Sequence, residues 1–224
     1  MLQLAIANKL YSSWSLRPWM VMRAFDIPFE ETVIALKQTD TKERIAKVSP
    51  SGKVPVLIDG DIQVWESLAI IEYLAEKFPA KAIWPKDVKA RAHARAISNE
   101  MHGGFQALRQ ACSMNLAKRF VTPLLTDDLT GNIARVEEIW RETRASFGQG
   151  GPYLYGALTA ADAMFAPVIT RFDTYQIPVA AETQAYMDAI LRHPAFLLWK
   201  AEALKEPWTI TEYEAGHTAV ATLR

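Results

Sequence analysis

The stretch from Ser49 to Ser67, SPSGKVPVLIDGDIQVWES, constrains the fold more than any other part of the chain. Pro50 and Gly52 interrupt whatever precedes them. Pro55 stands at the mouth of an apolar run, Val56-Leu57-Ile58, a strand start where a missing N–H is tolerated. Asp59-Gly60-Asp61 is a turn signal between two short strand-like runs, as a hairpin requires. The second run, Ile62 to Trp65, leads into Glu66-Ser67 and then into the helical spacing of Leu68, Ile70, Ile71, Tyr73 and Leu74. The predicted order is strand, tight turn, strand, helix, with a polar pair where the helix begins.

That pair has two readings. Serine or glutamate at a helix start is commonly a cap. A helix start also exposes unpaired N–H groups and partial positive charge, so it holds a carboxylate well. Glu66 at the same place would accept from an ammonium group. The two together suit the α-carbon end of an amino acid. A cis Val54–Pro55 bond would leave the Val54 N–H and C=O free to pair with an extended ligand; sequence leaves the isomer open.

The preceding residues read as an alternation of strands and helices. Leu2 to Ala7 is short and apolar, as a buried strand is. Asn8 to Ser15, NKLYSSWS, is a hydroxyl-rich loop. Helical spacing follows at Leu16, Trp19, Met20, Met22 and Phe25, with Ser15 or Arg17 expected as the cap and Pro18 in the first turn. A second strand is expected within Glu31 to Leu36, and a short helix over Thr39 to Val48. A helix between the first two strands makes them parallel, so the sheet is mixed, with helices on both faces.

Phe78-Pro79-Ala80 through Trp84-Pro85-Lys86 is the expected linker between a domain at 1–80 and an all-helical one at 87–224. One helix is expected from Asp87 to about Arg119, kinked at Gly103-Gly104. Further helices are expected over Leu129–Phe147, Ala163–Phe172, Glu182–Leu191 and Pro194–Lys205. Thr159-Ala160-Ala161-Asp162 reads as a capping box with aspartate for the usual glutamate. The helix behind it is apolar nearly all round, as a central buried helix is. Pro207 to Arg224 is polar and reads as a tail.

Lysine plus arginine balances aspartate plus glutamate at 25 each. A neutral chain without a basic block argues against nucleic acid as a partner. The single cysteine, Cys112, allows no intrachain disulfide and suits a reducing cytoplasm; it reads as a small buried hydrophobe. MLQLAIANK lacks the basic region of a signal peptide, and no run approaches the length of a membrane span.

The loop YSSWSLRP, the segment SGKVPVL, the pair WES before AIIEYL, and the box TAAD, in that order, resemble the cytosolic glutathione transferase family over nearly the whole chain. The resemblance implies a thioredoxin-like α/β N-terminal domain that binds glutathione, an all-α C-terminal domain, no metal and a homodimer. By position, Pro55 is the family's cis-proline. Val54 pairs its backbone with the cysteinyl part of glutathione. Glu66 and Ser67 hold the γ-glutamyl end, and Lys53 lies near the glutathione carboxylates. Thr159 and Asp162 are a folding cap.

The serine loop decides the chemistry. Free thiols titrate near about 8.5 and are mostly neutral at pH 7. A hydroxyl donating to sulfur at a helix N-terminus favours the thiolate. Lowering a thiol's pKa by about two units is worth about 2.7 kcal/mol. The loop is similar to the zeta class, with Ser12, Ser13 and Ser15 matching its serines, Arg17 its arginine, and Trp14 replacing its cysteine. Ser13 is the expected donor, Ser12 and Ser15 the alternatives, and Tyr11 a rival hydroxyl. The zeta class isomerises maleylacetoacetate, and its second-domain arginine would fall near Thr174, with Arg171 one turn earlier. Without the cysteine, isomerase and thiol-exchange chemistry are not expected. His102 and Arg109, seven residues apart, would stand two turns along one helix face beside the electrophile site. Trp19, Met20, Met22 and Met101 read as core. The expected activity is addition of glutathione to a small electrophile. The alternatives are a zeta-like isomerase and a non-enzymatic binding module.

Overall fold

A computed structural model describes residues 1–224. The first sheet is four-stranded in the order β2-β1-β3-β4. Strand β1 (Leu2–Ile6) is apolar and almost fully buried, so it takes a central place. It runs parallel to β2 (Phe29–Val33) and antiparallel to β3 (Val56–Asp59). Strand β4 (Ile62–Trp65) completes the hairpin expected from Asp59-Gly60-Asp61, with Gly60 at φ 63°, a left-handed turn that glycine adopts without strain. The crossover from β1 to β2 is α1 (Ser13–Ala24), α2 (Thr41–Ala46) precedes β3, and α3 (Ser67–Lys77) follows β4.

Helix α1 starts earlier than its spacing suggested. Ser12, not Ser15 or Arg17, is the N-cap, because its side chain accepts from the Ser15 N–H. Pro18 therefore lies inside the helix, beyond the first turn. Strand β2 begins two residues before Glu31, at Phe29, which packs edge-on to Trp19.

After a short 3₁₀ turn at Pro79–Lys81, the chain becomes mostly helical. The long helix expected to about Arg119 is two helices, α4 (Val88–Gly103) and α5 (Gln106–Ala111). Phe105 adopts φ 63° between them, and a Cβ on Gly104 would meet the Glu100 carbonyl at 2.7 Å. The Arg109 guanidinium donates to the carbonyls of Met101, His102 and Gly104, satisfying acceptors that the end of a helix leaves bare. Arg109 is thus the C-terminal cap of α4 and not a second residue on its face.

Helix α6 (Asp127–Phe147) is capped by Thr126. Helix α7 (Ala160–Thr174) follows the capping box, and nearly every residue of it is buried. The buried Asp162 carboxylate accepts from Thr159 N, Thr159 Oγ1, Leu154 N and Tyr186 OH. Burial nevertheless raises its carboxyl to about 6. Helices α8 (Ala181–Leu191) and α9 (Pro194–Ala203) complete the bundle.

The last residues are not a tail. Strand β6 (Ala219–Thr222) pairs antiparallel with β5 (Lys118–Phe120), beyond α5. Glu206 accepts from the N–H groups of Lys9 and Leu10, and Glu214 from Tyr11 OH, Asn115 Nδ2 and Lys118 Nζ. These carboxylates return the C-terminal segment to the first loop, more than 190 residues back along the chain. Local polarity cannot reveal this, since the partners are tertiary.

One apolar core of 53 buried residues runs through both parts, joining Leu4, Trp19 and Ile71 to Trp140, Phe165 and Trp199. Trp19, Met20, Met22 and Met101 all lie in it. Buried Lys9 stitches the parts together: it pairs with Glu31 and Glu202, and its ammonium lies over Trp19 and Trp199. No helix is long and apolar enough to cross a membrane.

Candidate functional site

The serine loop and the hairpin meet at two adjoining cavities. The larger, about 570 Å³, is lined by Tyr11, Ser12, Ser13 and Trp14 from the loop and by Lys53 and Val54 before β3. Its other wall is His102, Gln106, Arg109, Ser113, Arg171 and Tyr213. The smaller, about 140 Å³, is lined by Trp14, Ser51, Lys53, Val54, Pro55, Glu66 and Ser67. Trp14, Lys53 and Val54 belong to both. Every expected site residue except Ser15 therefore lies on one connected surface.

The three serines are not equivalent. Ser15 is fully buried; its Oγ accepts from Ala7 N at 3.1 Å and from the Ser12 hydroxyl at 2.8 Å. Ser12 is engaged as donor and cap. Ser13 opens α1, lines the larger cavity and takes part in neither bond. Tyr11 also reaches the cavity, but its hydroxyl donates to Glu214, and burial raises its pKa.

The Val54–Pro55 bond is cis. The Val54 N–H and C=O make no backbone hydrogen bond, as an extended ligand would need. Glu66 holds the N-cap position of α3, but its side chain makes no capping bond. It sits at φ 68°, a strained conformation for a residue with a side chain. The Ser67 hydroxyl is buried and has no partner in the chain. Simple capping therefore accounts for neither member of the pair. Glu66 Oε2 faces His102 Nε2 at 3.4 Å, so α4 contributes to the same edge. Burial lowers the His102 pKa, and the positive charges of Arg17 and Arg109 lower it further, while Glu66 opposes them.

Two residues play a larger part than sequence reasoning gave them, Trp14 and Tyr213. Trp14 is more than a replacement for a cysteine: it divides the cavities, with the guanidiniums of Arg17 and Arg109 at 4.2 and 4.8 Å from its ring centre. His102 packs edge-on to the same ring at 5.1 Å. Tyr213 comes from the segment read as a tail. Arg171 lines the cavity, whereas Thr174 is occupied with the Asn115 carbonyl. An indole in a hydroxyl-rich loop was a visible signal for Trp14. Nothing local marked Tyr213. Cys112 is buried and lines neither cavity, and its thiol is pushed up to about 12 by burial.

A family model described as glutathione S-transferase, N-terminal domain, matches residues 11–77. A probable maleylacetoacetate isomerase of Caenorhabditis elegans is 37% identical over 115 residues, covering 49% of this chain and 53% of that protein. A zeta class glutathione S-transferase of Euphorbia esula is 27% identical over 183 residues, covering 76% of this chain and 81% of that one. Over the first curated relatives, the match spans about half of their length or less. A glutathione transferase homologue from Burkholderia, solved with bound glutathione, superposes with a TM-score of 0.70 at 20% identity, covering 90% of this chain and 97% of that one. That likeness concerns the fold. The family's N-terminal domain thus matches residues 11–77, and the fold of the glutathione transferases covers 90% of the chain.

Proposed function

We propose that the protein is a glutathione transferase that holds the glutathione thiolate at Ser13 and adds it to a small electrophile. The observation that carries this reading is the uncommitted Ser13 hydroxyl at the start of α1, facing a cavity continuous with the orphan Ser67 hydroxyl. In this reading the γ-glutamyl carboxylate accepts from Ser67 and from the N–H groups that open α3, and Glu66 accepts from the ammonium. The cysteinyl backbone pairs with Val54, beside the cis Pro55. Lys53, which pairs with no carboxylate of its own chain, takes a glutathione carboxylate. The sulfur then lies over the N-terminus of α1, where the Ser13 O–H donates to it. Serine acts as a donor here and not as a nucleophile.

His102 and Arg109 stand across the cavity, where the electrophile enters. His102 also holds the outer edge of the glutathione subsite through Glu66. The functional unit in this proposal is a cytoplasmic homodimer, as the family resemblance implies.

Retention on immobilised glutathione, and a rise in melting temperature with it, test the binding half. Conjugation of a chlorodinitrobenzene-type electrophile tests the chemistry. Failure of both binding assays would leave only the non-enzymatic reading. The relative named as a probable maleylacetoacetate isomerase favours a second, isomerase reading. Trp14 in place of the zeta cysteine weighs against it. Isomerisation of a maleyl compound without net loss of glutathione would support it over conjugation.

A further inference from the structure

The loop that carries Ser13 is anchored from the second half of the chain. All four backbone polar groups of Lys9 and Leu10 are bonded there. The Lys9 and Leu10 N–H groups donate to the Glu206 carboxylate at 2.7 and 3.1 Å. The Lys9 carbonyl accepts from Trp199 Nε1 at 3.0 Å, and the Leu10 carbonyl from the Leu116 N–H at 3.2 Å. The first half of the chain holds the loop one residue earlier, at Asn8. The Asn8 side chain accepts from the Leu36 N–H at 2.7 Å, and its carbonyl accepts from the Tyr11 and Ser12 N–H groups. The turn that delivers Ser12 and Ser13 to the start of α1 thus hangs between two anchors, one on the sheet and one on the helical bundle.

The Lys9 side chain joins those anchors. Its ammonium donates to Glu31 on β2 at 2.5 Å and to Glu202 on α9. It lies 5.0 Å from the ring centre of Trp19, on α1, and 5.5 Å from that of Trp199, on α9. Glu31 also accepts from Trp19 Nε1 at 2.6 Å. The Lys9 side chain is only 4% exposed. A buried ammonium is tolerated where carboxylates and aromatic faces take the place of water. It then has one favourable position, the point where its partners converge. Exposed ion pairs lack this property, because solvent competes with each partner. Lys9 lines neither cavity, so its reach to the chemistry is through the loop.

We propose that Lys9 is a positioning residue, which fixes Ser13 against the glutathione sulfur by tying the serine loop to β2 and α9 at once. The proposal rests on the transferase reading above and extends it to a residue outside the site. Without Lys9, Glu31 and Glu202 lose their shared cation, and α9 no longer has a charge holding it to β2 at the loop. Ser13 lies only four residues on from Lys9. A donor displaced by about 1 Å can cost about a hundredfold in rate. Glutathione binding at Val54, Glu66 and Ser67 depends instead on the hairpin and α3, to which Lys9 makes no hydrogen bond.

The test compares Lys9→Met, which keeps most of the side chain's length without its charge, with Lys9→Arg. Steady-state conjugation of glutathione to chlorodinitrobenzene is the first readout. Lys9→Met is expected to lower kcat about ten- to a hundredfold, while KM for glutathione changes by less than about twofold. It should also raise the thiol pKa seen in the pH profile. Lys9→Arg should restore much of kcat, since a guanidinium can pair with both carboxylates. Hydrogen exchange over residues 8–15 of the ligand-free protein is the second readout and presumes no reaction. Exchange there should be faster in Lys9→Met than in the wild type, and slower again in Lys9→Arg. A Lys9→Met protein that melts lower but keeps the wild-type kcat and pH profile would overturn the proposal, as would unchanged exchange in the loop. If Lys9→Met does not fold, Glu202→Gln, on the more exposed side of the cage, takes its place, with the same directions expected and the same outcomes decisive. Absence of conjugation by the wild type would instead sink the transferase reading, and exchange would still decide whether Lys9 holds the loop.

Discussion

The Ser12 hydroxyl donates to Ser15 Oγ across 2.8 Å, and Ser15 Oγ also accepts from the Ala7 N–H. This relay ties the end of β1 to the first turn of α1. It engages two of the three loop serines and leaves Ser13 free for a ligand.

The three serine-to-alanine variants should therefore separate cleanly. Ser13→Ala should slow conjugation about ten- to a hundredfold, the loss of one hydrogen bond to a charged group. It should also raise the pKa seen in the pH profile of kcat/KM and leave the melting temperature nearly unchanged. Ser15→Ala strands the buried Ala7 N–H and should cost about 1–3 kcal/mol in urea denaturation. An unchanged pH profile for Ser13→Ala would return the role to Ser12.

The Ser67 hydroxyl is buried without a partner, so removing it should not harm the free protein. Ser67→Ala is expected to melt at the same temperature as the wild type or slightly higher, since an unsatisfied buried group costs stability. Its glutathione affinity should fall about tenfold or more. Melting curves with and without glutathione measure both. A variant less stable without ligand but equally stabilised by glutathione would contradict the assignment.

Glu66 combines a strained φ of 68° with a side chain that makes no cap. Residues held in such regions carry about 1–3 kcal/mol of strain. Glu66→Gly should relax that strain and offset the entropy of an added glycine, leaving stability unchanged or higher. It should also weaken glutathione binding and remove the partner of His102 Nε2. A marked loss of stability would mean that the carboxylate serves the fold through His102.

Acid sensitivity has a definite sign. Burial lowers the pKa of His93, His102, His193 and His217 below the ordinary 6.5. The unfolded chain then binds more protons, so their contribution is intact above about pH 6.5 and is lost as pH falls through the folded values. Asp162 acts oppositely: its carboxyl is raised from 3.8 to about 6, so its contribution grows as pH falls from about 6 toward 4. The melting temperature should drop on acidification below pH 6.5 and decline less steeply below pH 6. His102→Gln should reduce the first drop. Melting curves at several pH values check this, and a melting temperature that rises between pH 7 and pH 6 would refute it.

Glu214 accepts from Tyr11, Asn115 and Lys118 at once. Glu214→Gln replaces one acceptor oxygen by a donor and should cost about 1–3 kcal/mol. Because Tyr213 lines the cavity, the same change should raise KM for the electrophile more than for glutathione. Equal effects on both would mean that the C-terminal segment only supports the fold.

Much of this protein was legible along the chain, because its signals are local. The hairpin at Val56–Trp65 follows from Asp59-Gly60-Asp61, and the buried course of α7 follows from TAAD and the unbroken apolar run behind it. Glu66-Ser67 beside the hairpin and the hydroxyl-rich loop marked both halves of the candidate site. Tertiary structure decided the rest. Which serine is free depends on the Ala7 N–H, which competes for Ser15. Where α4 ends depends on the Arg109 guanidinium capping it from beyond the break. Whether residues 207–224 are a tail depends on Glu206 and Glu214 finding donors in the first loop and beside β5. The charge of the cavity depends on three arginines, from α1, α5 and α7, meeting where no carboxylate follows them. Sequence carries periodicity and turn chemistry, which depend on neighbours a few residues away. Hydrogen-bond competition and uncompensated charge arise only when distant segments are brought into one small space.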